Sequence, residues 1–381
     1  MFKSAESLPV YLDYNATAPL RPVAREALLA ALAAPANPSS VHGFGRAARK
    51  IAESARESVA ALAGAAPKRV VFTSGGTEAN NLALRLAIRQ AGVTRLVVAA
   101  IEHDSVLRPA RAAGLPLVEV PAGPDGIVDP AAIVAALDGG EGPALVCLML
   151  ANNETGAVQP VAEVTRLAHA RGALVLCDAV QAAGKIPLDL AALGCDFLTL
   201  SAHKLGGAAG TGALVCRDDW TPAPLLLGGG QELGQRAGTE NLSGIAAFGA
   251  AADAARAGLA AEAARLAGLR NRLQGLLTAA CPAAPVHAGH AERLPNTLCI
   301  GMPGVPAETQ VMALDLAGVA VSAGSACSSG KVTPSHVLTA MGLPDQAARE
   351  ALRFSLGWAS TAADVERAAA AWIALQGRSI K

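Results

Sequence analysis

The sequence predicts an α/β fold, with a large domain built on a mostly parallel seven-stranded sheet covered by helices and a second, smaller α/β domain. Short apolar runs such as RVVFTS (69–74) and ALVCLML (144–150) alternate with alanine-rich helical stretches. Continuous apolar strands separated by helices are typical of parallel strands that are buried on both faces. The chain has 381 residues, of which 52% are hydrophobic, so it can form about two domains with a sizeable core.

The predicted elements follow one another in an order that separates the two domains. Further strands of the large domain are predicted at RLVVAA (95–100), ALVLCD (173–178), DFLTLS (196–201) and TGALVC (211–216). An almost unbroken series of helix formers from Thr239 to Leu277 predicts a long helix that bridges the domains. The smaller unit is predicted from NTLCIGM, AETQVMALDLAG, VAVSAG, REALRFSLG and a last helix. We therefore assign residues 16–257 to the large domain and residues 1–15 and 258–381 to the small domain.

Charge and composition argue against several classes of partner. The 31 basic and 31 acidic residues give a formal net charge of +0 without a long run of one sign, so neither nucleic acid nor a membrane is expected as a partner. Aromatic residues make up only 3%, which disfavours base stacking. The N-terminal segment MFKSAESLPVYLDYN lacks the apolar region of a secretory signal. The apolar run at 144–151 is far shorter than the roughly 20 residues that span a bilayer.

The cysteines indicate a reduced, cytoplasmic protein. The 7 cysteines occupy positions 147, 177, 195, 216, 281, 299 and 327. An odd count without a CxxC pair favours neither a disulfide framework nor a metal site. Most lie in or beside apolar runs, where a thiol is typically a small buried hydrophobic group. Cys327 is the exception, because its neighbours in SAGSACSSG (322–330) are small and would not bury it.

Two glycine-containing segments resemble nucleotide or phosphate sites. In FTSGGTEANN (72–81) a strand ends, two glycines turn the chain and a helix begins, so the backbone N–H groups near Gly76 and Thr77 could bind a phosphate. An ordinary strand-to-helix turn is the alternative. GFGRAAR (43–49) matches G-x-G-x-x-A, but no strand precedes it, so the start of a helix is favoured over a dinucleotide site.

The segment CDAVQAAGK (177–185) places a carboxylate where open α/β sheets bind ligands. Asp178 ends an apolar strand and could hold a protonated ring nitrogen. Gln181 follows closely enough to reach the same ligand. The alternative is that Asp178 caps the next helix.

The segment LSAHKLGG (200–207) delivers three polar side chains at the end of another strand. A buried lysine is costly without a partner or a covalent bond, so Lys204 suits a Schiff base, with Ser201 and His203 available to a phosphate. The alternative, a surface lysine in a loop, is disfavoured by the strand before it and by GTGALV after it.

Two further residues complete one set of functional groups. His103 follows a strand and could stack on a planar cofactor and exchange protons, although a lone histidine is usually structural. Arg353 lies in the apolar run LRFSLG (352–357), so it requires a carboxylate partner, either an acidic side chain or a substrate. A phosphate cradle, a ring-nitrogen carboxylate, a Schiff-base lysine and a carboxylate-binding arginine together describe pyridoxal 5'-phosphate acting on an amino acid. The sequence contains neither the G-x-S-x-G motif nor the H-E-x-x-H motif, which mark hydrolytic enzymes of other classes.

Along nearly its whole length the chain resembles the cysteine desulfurases, which belong to the class V aminotransferase group of fold-type-I pyridoxal-phosphate enzymes. The matching blocks, in chain order, are YLDYNAT, NPSSVHGFGRAAR, FTSGGTEANN, EHDSV, NNETGAVQPV, DAVQAAGK, SAHK, GGGQELGQRAGTEN, SAGSACSSG, PSHVLTAMG and LRFSLG. The chain departs from the family at GGAAG (206–210), where Gly-Pro-Lys-Gly is common, and at NATAP (15–19), where Asn-Ala-Thr-Thr-Pro is common.

The resemblance implies a role for each candidate residue. Around the cofactor ring it implies Lys204 as the Schiff-base lysine, Asp178 at the pyridine nitrogen, Gln181 at the ring hydroxyl and His103 stacked on the ring. Phosphate contacts are implied for Gly76, Thr77, Ser201 and His203, and for Thr239 across the interface of a homodimer. Asn153 and Arg353 match residues that hold the substrate. Cys327 matches the nucleophile that becomes a persulfide.

The implied reaction takes sulfur from L-cysteine and yields L-alanine and a persulfide on Cys327, with Lys204 and His103 as further catalytic groups. The form SACSSGKVTPSH resembles the long-loop branch, which supplies iron–sulfur cluster assembly, so an iron–sulfur scaffold is an implied sulfur acceptor. A selenocysteine lyase or another class V aminotransferase is the alternative enzyme. A non-catalytic sulfur carrier is disfavoured, because it would not need Lys204 or Asp178.

Overall fold

The structure is a computed structural model that describes residues 9–33, 37–217, 220–324 and 334–379. Its strands are β1 (Val10–Tyr11), β2 (Val70–Thr73), β3 (Arg95–Ala99), β4 (Leu117–Val120), β5 (Ala144–Cys147), β6 (Leu174–Asp178), β7 (Phe197–Ser201), β8 (Gly212–Cys216), β9 (Val286–His287), β10 (Thr297–Gly301), β11 (Val319–Ala320), β12 (Ser322–Ala323) and β13 (Ala351–Ser355).

Helices occupy most of the chain between these strands. They are α1 (Pro22–Leu32), α2 (Gly43–Ala63), α3 (Gly76–Arg89), α4 (Asp104–Ala112), α5 (Pro130–Asp138), α6 (Val161–His169), α7 (Leu190–Leu193), α8 (Leu242–Ala257), α9 (Leu259–Ala280), α10 (Ala307–Leu316), α11 (His336–Ala340), α12 (Asp345–Arg349) and α13 (Ala362–Ser379). No helix among the described residues combines the length and apolar character needed to cross a bilayer.

The larger sheet has seven strands in the order β2-β8-β7-β6-β5-β3-β4. Strand β8 runs antiparallel to β2 and β7, and the remaining pairs are parallel. Every residue of β5, β7 and β8 is buried, as expected for apolar strands covered by helices on both faces. The predicted mostly parallel, seven-stranded sheet is confirmed.

Small residues let the covering helices approach closely. A Cβ atom on Gly249 of α8 would lie 2.6 Å from the Cα atom of Ala55 on α2. The glycine and the alanine at this contact therefore let α2 and α8 pack closely. The helix start predicted at GFGRAAR is also confirmed, since α2 begins at Gly43 and the His42 side chain caps it by accepting from the Gly45 N–H.

The smaller sheet is antiparallel, in the order β12-β13-β10-β9, and β1 pairs with β11 in a separate parallel pair. A second apolar core, which includes the fully buried side chains of Trp372, Phe354 and Leu273, packs around these strands. The predicted single long helix is wrong in one respect, because the chain breaks at Gly258 into α8 and α9. The domain boundaries at residues 15/16 and 257/258 stay a prediction.

Candidate active site

The carboxyl end of β6 places Asp178 in a buried, hydrogen-bonded position. The residue is 7% exposed. Its Oδ1 atom accepts from the Val180 N–H at 2.9 Å, and its Oδ2 atom accepts from Asn80 Nδ2 at 2.9 Å. The first contact is local, as expected if Asp178 caps the segment that follows it. The second contact comes from helix α3 and fixes the plane of the carboxylate. One carboxylate is thus held rigidly at the end of the strand.

Asn80 is the buried residue that joins these elements. Its Nδ2 atom also donates to Ser105 Oγ at 2.9 Å, and its Oδ1 atom accepts from Thr199 Oγ1 at 2.7 Å. The side chain is 0% exposed. Reasoning from the sequence did not single out Asn80, although it lies inside the block FTSGGTEANN.

His103 lies at the N-terminus of α4, where the charges of Asp178 and Lys204 act on it. Its Nδ1 atom accepts from the Ser105 N–H at 3.1 Å and lies 2.8 Å from Ser105 Oγ. Burial lowers the pKa of His103, the charge of Lys204 lowers it further, and the charge of Asp178 opposes the change. Since Nδ1 accepts a backbone hydrogen bond, the proton of the neutral ring is on Nε2.

The neighbouring residue, Glu102, is a second buried carboxyl group that the sequence did not reveal. It is 0% exposed, and its Oε1 atom accepts from the Met149 N–H. Burial, together with the negative charge of Asp178, holds the pKa of Glu102 well above its ordinary value. This environment favours the protonated, neutral form of the Glu102 carboxyl group.

Lys204 lies in a short 3-10 turn directly after β7 and is half-buried. Its Nζ atom donates to the main-chain oxygens of Asn15 and Ala16, each at 2.7 Å. The adjacent His203 has its Nδ1 atom 3.1 Å from Thr17 Oγ1, and burial with the charge of Lys204 lowers the pKa of His203 to about 4. The lysine thus faces the segment that follows β1 rather than bulk solvent.

Asn15, which the sequence did not single out, is the residue on which several predicted site residues converge. Its main-chain oxygen accepts from Gln181 Nε2 at 2.9 Å as well as from Lys204. Its Nδ2 atom donates to the Asn153 main-chain oxygen at 3.2 Å and to Thr297 Oγ1 at 2.9 Å. The residue is 1% exposed. Asn15 therefore connects the edge of the large sheet with strand β10 of the smaller sheet.

The N-terminus of α3 lies against the end of β7 and the turn after β6. A Cβ atom on Gly76 would lie 3.0 Å from Val180 Cγ2, which is a tight contact, and 3.5 Å from Ser201 Cβ, which is an ordinary one. Ser201 is buried, whereas Thr77 is exposed. The first N–H groups of the helix and the Ser201 hydroxyl thus border one small region.

Thr239 is exposed in this single chain. The preceding Arg236 forms an ion pair with Glu78 of α3, with its Nε atom 2.9 Å from Glu78 Oε1. This pair ties the segment that carries Thr239 to the first turn of α3. The contact implied for Thr239 needs a second copy of the chain, so it stays a prediction.

Arg353 on β13 is buried, and its guanidinium donates to one carboxylate oxygen and to one main-chain oxygen. Its Nη2 atom donates to Asp13 Oδ1 at 2.7 Å, and its Nη1 atom donates to the Asn153 main-chain oxygen at 2.9 Å. The Arg353 Nε and Asn153 Oδ1 atoms are buried and have no hydrogen-bond partner among the described residues. The Arg353 Nε donor and the Asn153 Oδ1 acceptor are therefore available to a ligand. The acidic partner that the sequence predicted for Arg353 is Asp13.

Cys327 lies outside the described residues, but the residues on both sides of segment 325–333 meet at one point. Ser335 Oγ donates to Glu154 Oε2, and a Cβ atom on Gly324 would lie 3.1 Å from Ser335 Cβ and 3.6 Å from Glu154 Oε2. Glu154 follows Asn153 in the chain, and Ser322 pairs with Arg353 in the smaller sheet. The described residues that flank this segment, Gly324 and Ser335, thus lie beside Glu154, the neighbour in the chain of the predicted substrate-binding residue Asn153.

Comparisons with known proteins show the family of this chain. The aminotransferase class V family model matches residues 10–368. A cysteine desulfurase of Cereibacter sphaeroides is 46% identical over 365 residues, which cover 94% of this chain and 93% of the relative.

This chain belongs to the cysteine desulfurases of the class V aminotransferase family.

Other known proteins resemble the chain in sequence or fold. The cysteine desulfurase IscS of Anaeromyxobacter sp. (strain Fw109-5) is 42% identical, with 94% of this chain and 90% of that protein covered. The NifS-like protein from Rickettsia africae superposes with a TM-score of 0.89 at 32% identity, over 96% of this chain and 98% of that one. SspA, solved in complex with cysteine, superposes with a TM-score of 0.79 at 29% identity, over 91% and 98% of the two chains. The predicted family and fold are confirmed.

Proposed function

We propose that this protein is a pyridoxal-phosphate-dependent cysteine desulfurase that transfers the sulfur of L-cysteine to Cys327 and releases L-alanine. The observation that supports this most directly is the double role of Asn15. Its main-chain oxygen binds Lys204 Nζ at 2.7 Å, and its side chain binds the Asn153 oxygen that also accepts from Arg353. Asn15 thereby positions both the proposed cofactor lysine, Lys204, and the residues proposed to bind the substrate, Asn153 and Arg353.

The residues at the site fit pyridoxal 5'-phosphate. The backbone cradle at Gly76, which a Cβ atom would fill, suits a phosphate group at a helix N-terminus. Asp178 suits a protonated ring nitrogen, and Lys204 supplies an amine. The residues proposed to hold the cofactor are Gly76, Thr77, His103, Asp178, Gln181, Ser201, His203 and Lys204, with Thr239 from the second subunit. When bound, the cofactor supplies an electron sink that makes the Cα proton of an amino acid acidic.

The substrate is oriented by groups of the smaller sheet. The unpartnered Arg353 Nε and Asn153 Oδ1 atoms are available to the carboxylate and the amino group of an amino acid. The pairing of Arg353 with Asp13 fixes the plane of the guanidinium before the substrate arrives. The backbone oxygens of Asn15 and Ala16 hold the Lys204 amine in place to take up the Cα proton.

The sulfur transfer needs a nucleophile and a proton donor. The Cys327 thiolate attacks the substrate sulfur, so that an S–S bond forms and the bond between the sulfur and Cβ breaks. The electron pair of the broken bond stays with Cβ, which takes up a proton and becomes the methyl group of alanine. His103 carries its proton on Nε2 and can supply or accept a proton in this step.

A second copy of the chain completes the site. Leu227 and Leu233, which precede Thr239, are 83% and 71% exposed in the single chain. Exposed leucines of this kind are typical of a surface covered by another subunit. A homodimer would cover them and would bring Thr239 to the phosphate of the neighbouring site.

The proposed setting is the cytoplasm, with an iron–sulfur scaffold protein as the sulfur acceptor. The six described cysteines are all unpaired and buried, which suits a reducing compartment. A persulfide on a segment bounded by Gly324 and Ser335 would be passed on to such an acceptor protein.

Alanine formation from L-cysteine tests the proposal. The cofactor-loaded wild type should release alanine in the presence of a reductant. The Lys204→Ala and Cys327→Ala variants should lose this activity by at least about a hundredfold, while a Cys281→Ala control keeps it. Alanine release that survives in Cys327→Ala would contradict the proposal and would favour lyase or transaminase chemistry.

A further inference from the structure

Lys185 is a buried lysine that the proposed mechanism does not use. It is 8% exposed, and none of the ion pairs formed by the described residues involves it. Burial, reinforced by the positive charges of Lys204 and Arg353, holds its pKa well below the ordinary value. An amine at such a position is costly, so its role must depend on the hydrogen bonds that it makes.

Those hydrogen bonds close a ring of three residues. Lys185 Nζ donates to Gln181 Oε1 at 2.8 Å and to Asn15 Oδ1 at 3.0 Å. Gln181 Nε2 in turn donates to the Asn15 main-chain oxygen at 2.9 Å. Each residue of the ring therefore fixes the orientation of the other two.

The ring determines which way the Gln181 amide points. A backbone oxygen can only accept, so the atom of Gln181 that faces Asn15 must be the NH₂ group. The amide oxygen then needs a donor on the opposite side, and Lys185 provides it. The second hydrogen of Nε2 stays available to a ligand.

The same ring sets the position of Lys204. The Asn15 main-chain oxygen that accepts from Gln181 also accepts from Lys204 Nζ at 2.7 Å. The side chain of Asn15 is held at Oδ1 by Lys185 and by Asn296 Nδ2, the latter at 3.0 Å. Loss of the Lys185 amine would thus loosen both Gln181 and the carbonyl that holds Lys204.

Lys185 has little room for a ligand of its own. A cavity of about 30 Å³ borders both Lys185 and Lys204. This volume holds about one or two water molecules and no amino acid. Lys185 therefore acts through its neighbours rather than on the substrate.

We propose that Lys185 is a positioning residue, which holds the Gln181 amide with its NH₂ group toward the cofactor ring and holds the Asn15 carbonyl toward Lys204. This inference rests on the proposed function, because Gln181 meets a ring hydroxyl only when pyridoxal phosphate is bound. Without Lys185, the Gln181 oxygen loses its donor, so the amide is held by the Asn15 carbonyl alone and its orientation toward the ring is less fixed.

The test is a double-mutant cycle on cofactor-loaded protein. Wild type, Lys185→Met, Gln181→Met and the double variant are compared at one pH by the absorption and circular dichroism spectra of the bound pyridoxal phosphate and by its rate of release. Each single change is expected to alter the spectrum in the same direction and to speed cofactor release roughly tenfold. The double variant is expected to change the spectrum and the release rate by less than the sum of the two single effects, since part of the effect of Lys185 passes through Gln181 and the rest through Asn15.

Two further variants separate positioning from general loss of structure. Lys185→Arg keeps donors for Gln181 and is expected to restore a spectrum close to that of the wild type. Lys68→Met changes an exposed lysine and is expected to match the wild type. If Lys185→Met is not recovered in folded form, the cycle is run with Lys185→Gln, which can still donate to one partner only and is expected to show a smaller change of the same sign.

A wild-type spectrum and release rate in Lys185→Met would overturn the inference. Equal effects of that substitution in the wild-type protein and in the Gln181→Met variant would also overturn it, because they would show that Lys185 does not act through Gln181. A wild type that fails to bind pyridoxal phosphate or to form alanine would defeat the proposed function instead.

Discussion

The guanidinium of Arg353 donates to the carboxylate of Asp13 across 2.7 Å, although the two residues lie 340 positions apart in the chain. The second oxygen of Asp13 accepts from Ser322 Oγ at 2.8 Å, just before the segment that contains Cys327. Asp13 thus joins the proposed substrate-binding arginine to the strand that leads to the proposed nucleophile.

Removal of this carboxylate should weaken substrate binding. In Asp13→Ala, Arg353 loses its acidic partner and, among the described residues, keeps the Asn153 oxygen. Its orientation is then less fixed, and the KM for L-cysteine should rise about tenfold or more, with a smaller change in kcat. Asp13→Asn retains an acceptor oxygen and should raise KM less. The matched control is Asp138→Ala, which removes an exposed carboxylate paired with Arg171. A KM for Asp13→Ala equal to that of the control would show that the pair does not orient the arginine.

A methyl group at Gly76 should weaken cofactor binding for a steric reason that a second substitution can relieve. The added Cβ atom of Gly76→Ala would lie 3.0 Å from Val180 Cγ2. Overpacking of this kind should weaken pyridoxal-phosphate affinity roughly tenfold. The double variant Gly76→Ala/Val180→Ala should recover most of the affinity, measured by equilibrium titration. Gly268→Ala, where a Cβ atom meets nothing within 4 Å, serves as the control. Failure of the double variant to recover would argue against the steric account.

Loss of the Asn80 amide should destabilise the protein even without cofactor. Asn80→Leu removes one buried hydrogen bond from each of Asp178, Ser105 and Thr199. The free energy of unfolding should fall by about 2–4 kcal/mol, measured by denaturant titration of the cofactor-free protein. Asn271→Leu on the exposed face of α9 should change it by less than about 0.5 kcal/mol. Equal stability of the two variants would refute the role of Asn80.

Acidification should destabilise the smaller sheet through His287. This residue of β9 is 7% exposed, and burial lowers its pKa from 6.5 to about 4. Between these values the unfolded chain binds a proton that the folded chain does not, so stability is complete above the higher pKa and falls as pH decreases toward the lower one. From about pH 7 to about pH 5 this residue should cost about 2 kcal/mol.

The measurement is denaturant unfolding of wild type and His287→Gln at both pH values. The variant should lose less stability on acidification than the wild type. The same pH dependence in both proteins would mean that His287 does not titrate as its burial requires.

The residues that could be predicted from the sequence are those marked by a local pattern. The strands of the large sheet are continuous apolar runs, and Asp178 and Lys204 stand out because each follows such a run directly. Strand β4 was missed because it lies at the edge of the sheet, and its sequence LVEV has two exposed residues. The break at Gly258 was missed because a single glycine interrupts a long series of helix formers.

The residues that were missed are those whose partners are distant in the chain. The position of Arg353 in an apolar run predicts a carboxylate partner, but nothing near it in the sequence identifies that partner as Asp13. Asn15, Asn80 and Lys185 act by joining strands and helices, so their function appears only when the fold brings those elements together. Asn15 does lie in the block YLDYNAT, which marked the segment without marking the residue.

The most direct test of the account is the location of the transferred sulfur. Cofactor-loaded protein is treated with one equivalent of L-cysteine without reductant, alkylated, and digested for mass spectrometry. One additional sulfur atom is expected on the peptide that contains Cys327 and none on the other six cysteines, and no protein-bound sulfur is expected in Cys327→Ala. Sulfur on a different cysteine, or alanine formed by Cys327→Ala at the wild-type rate, would contradict it.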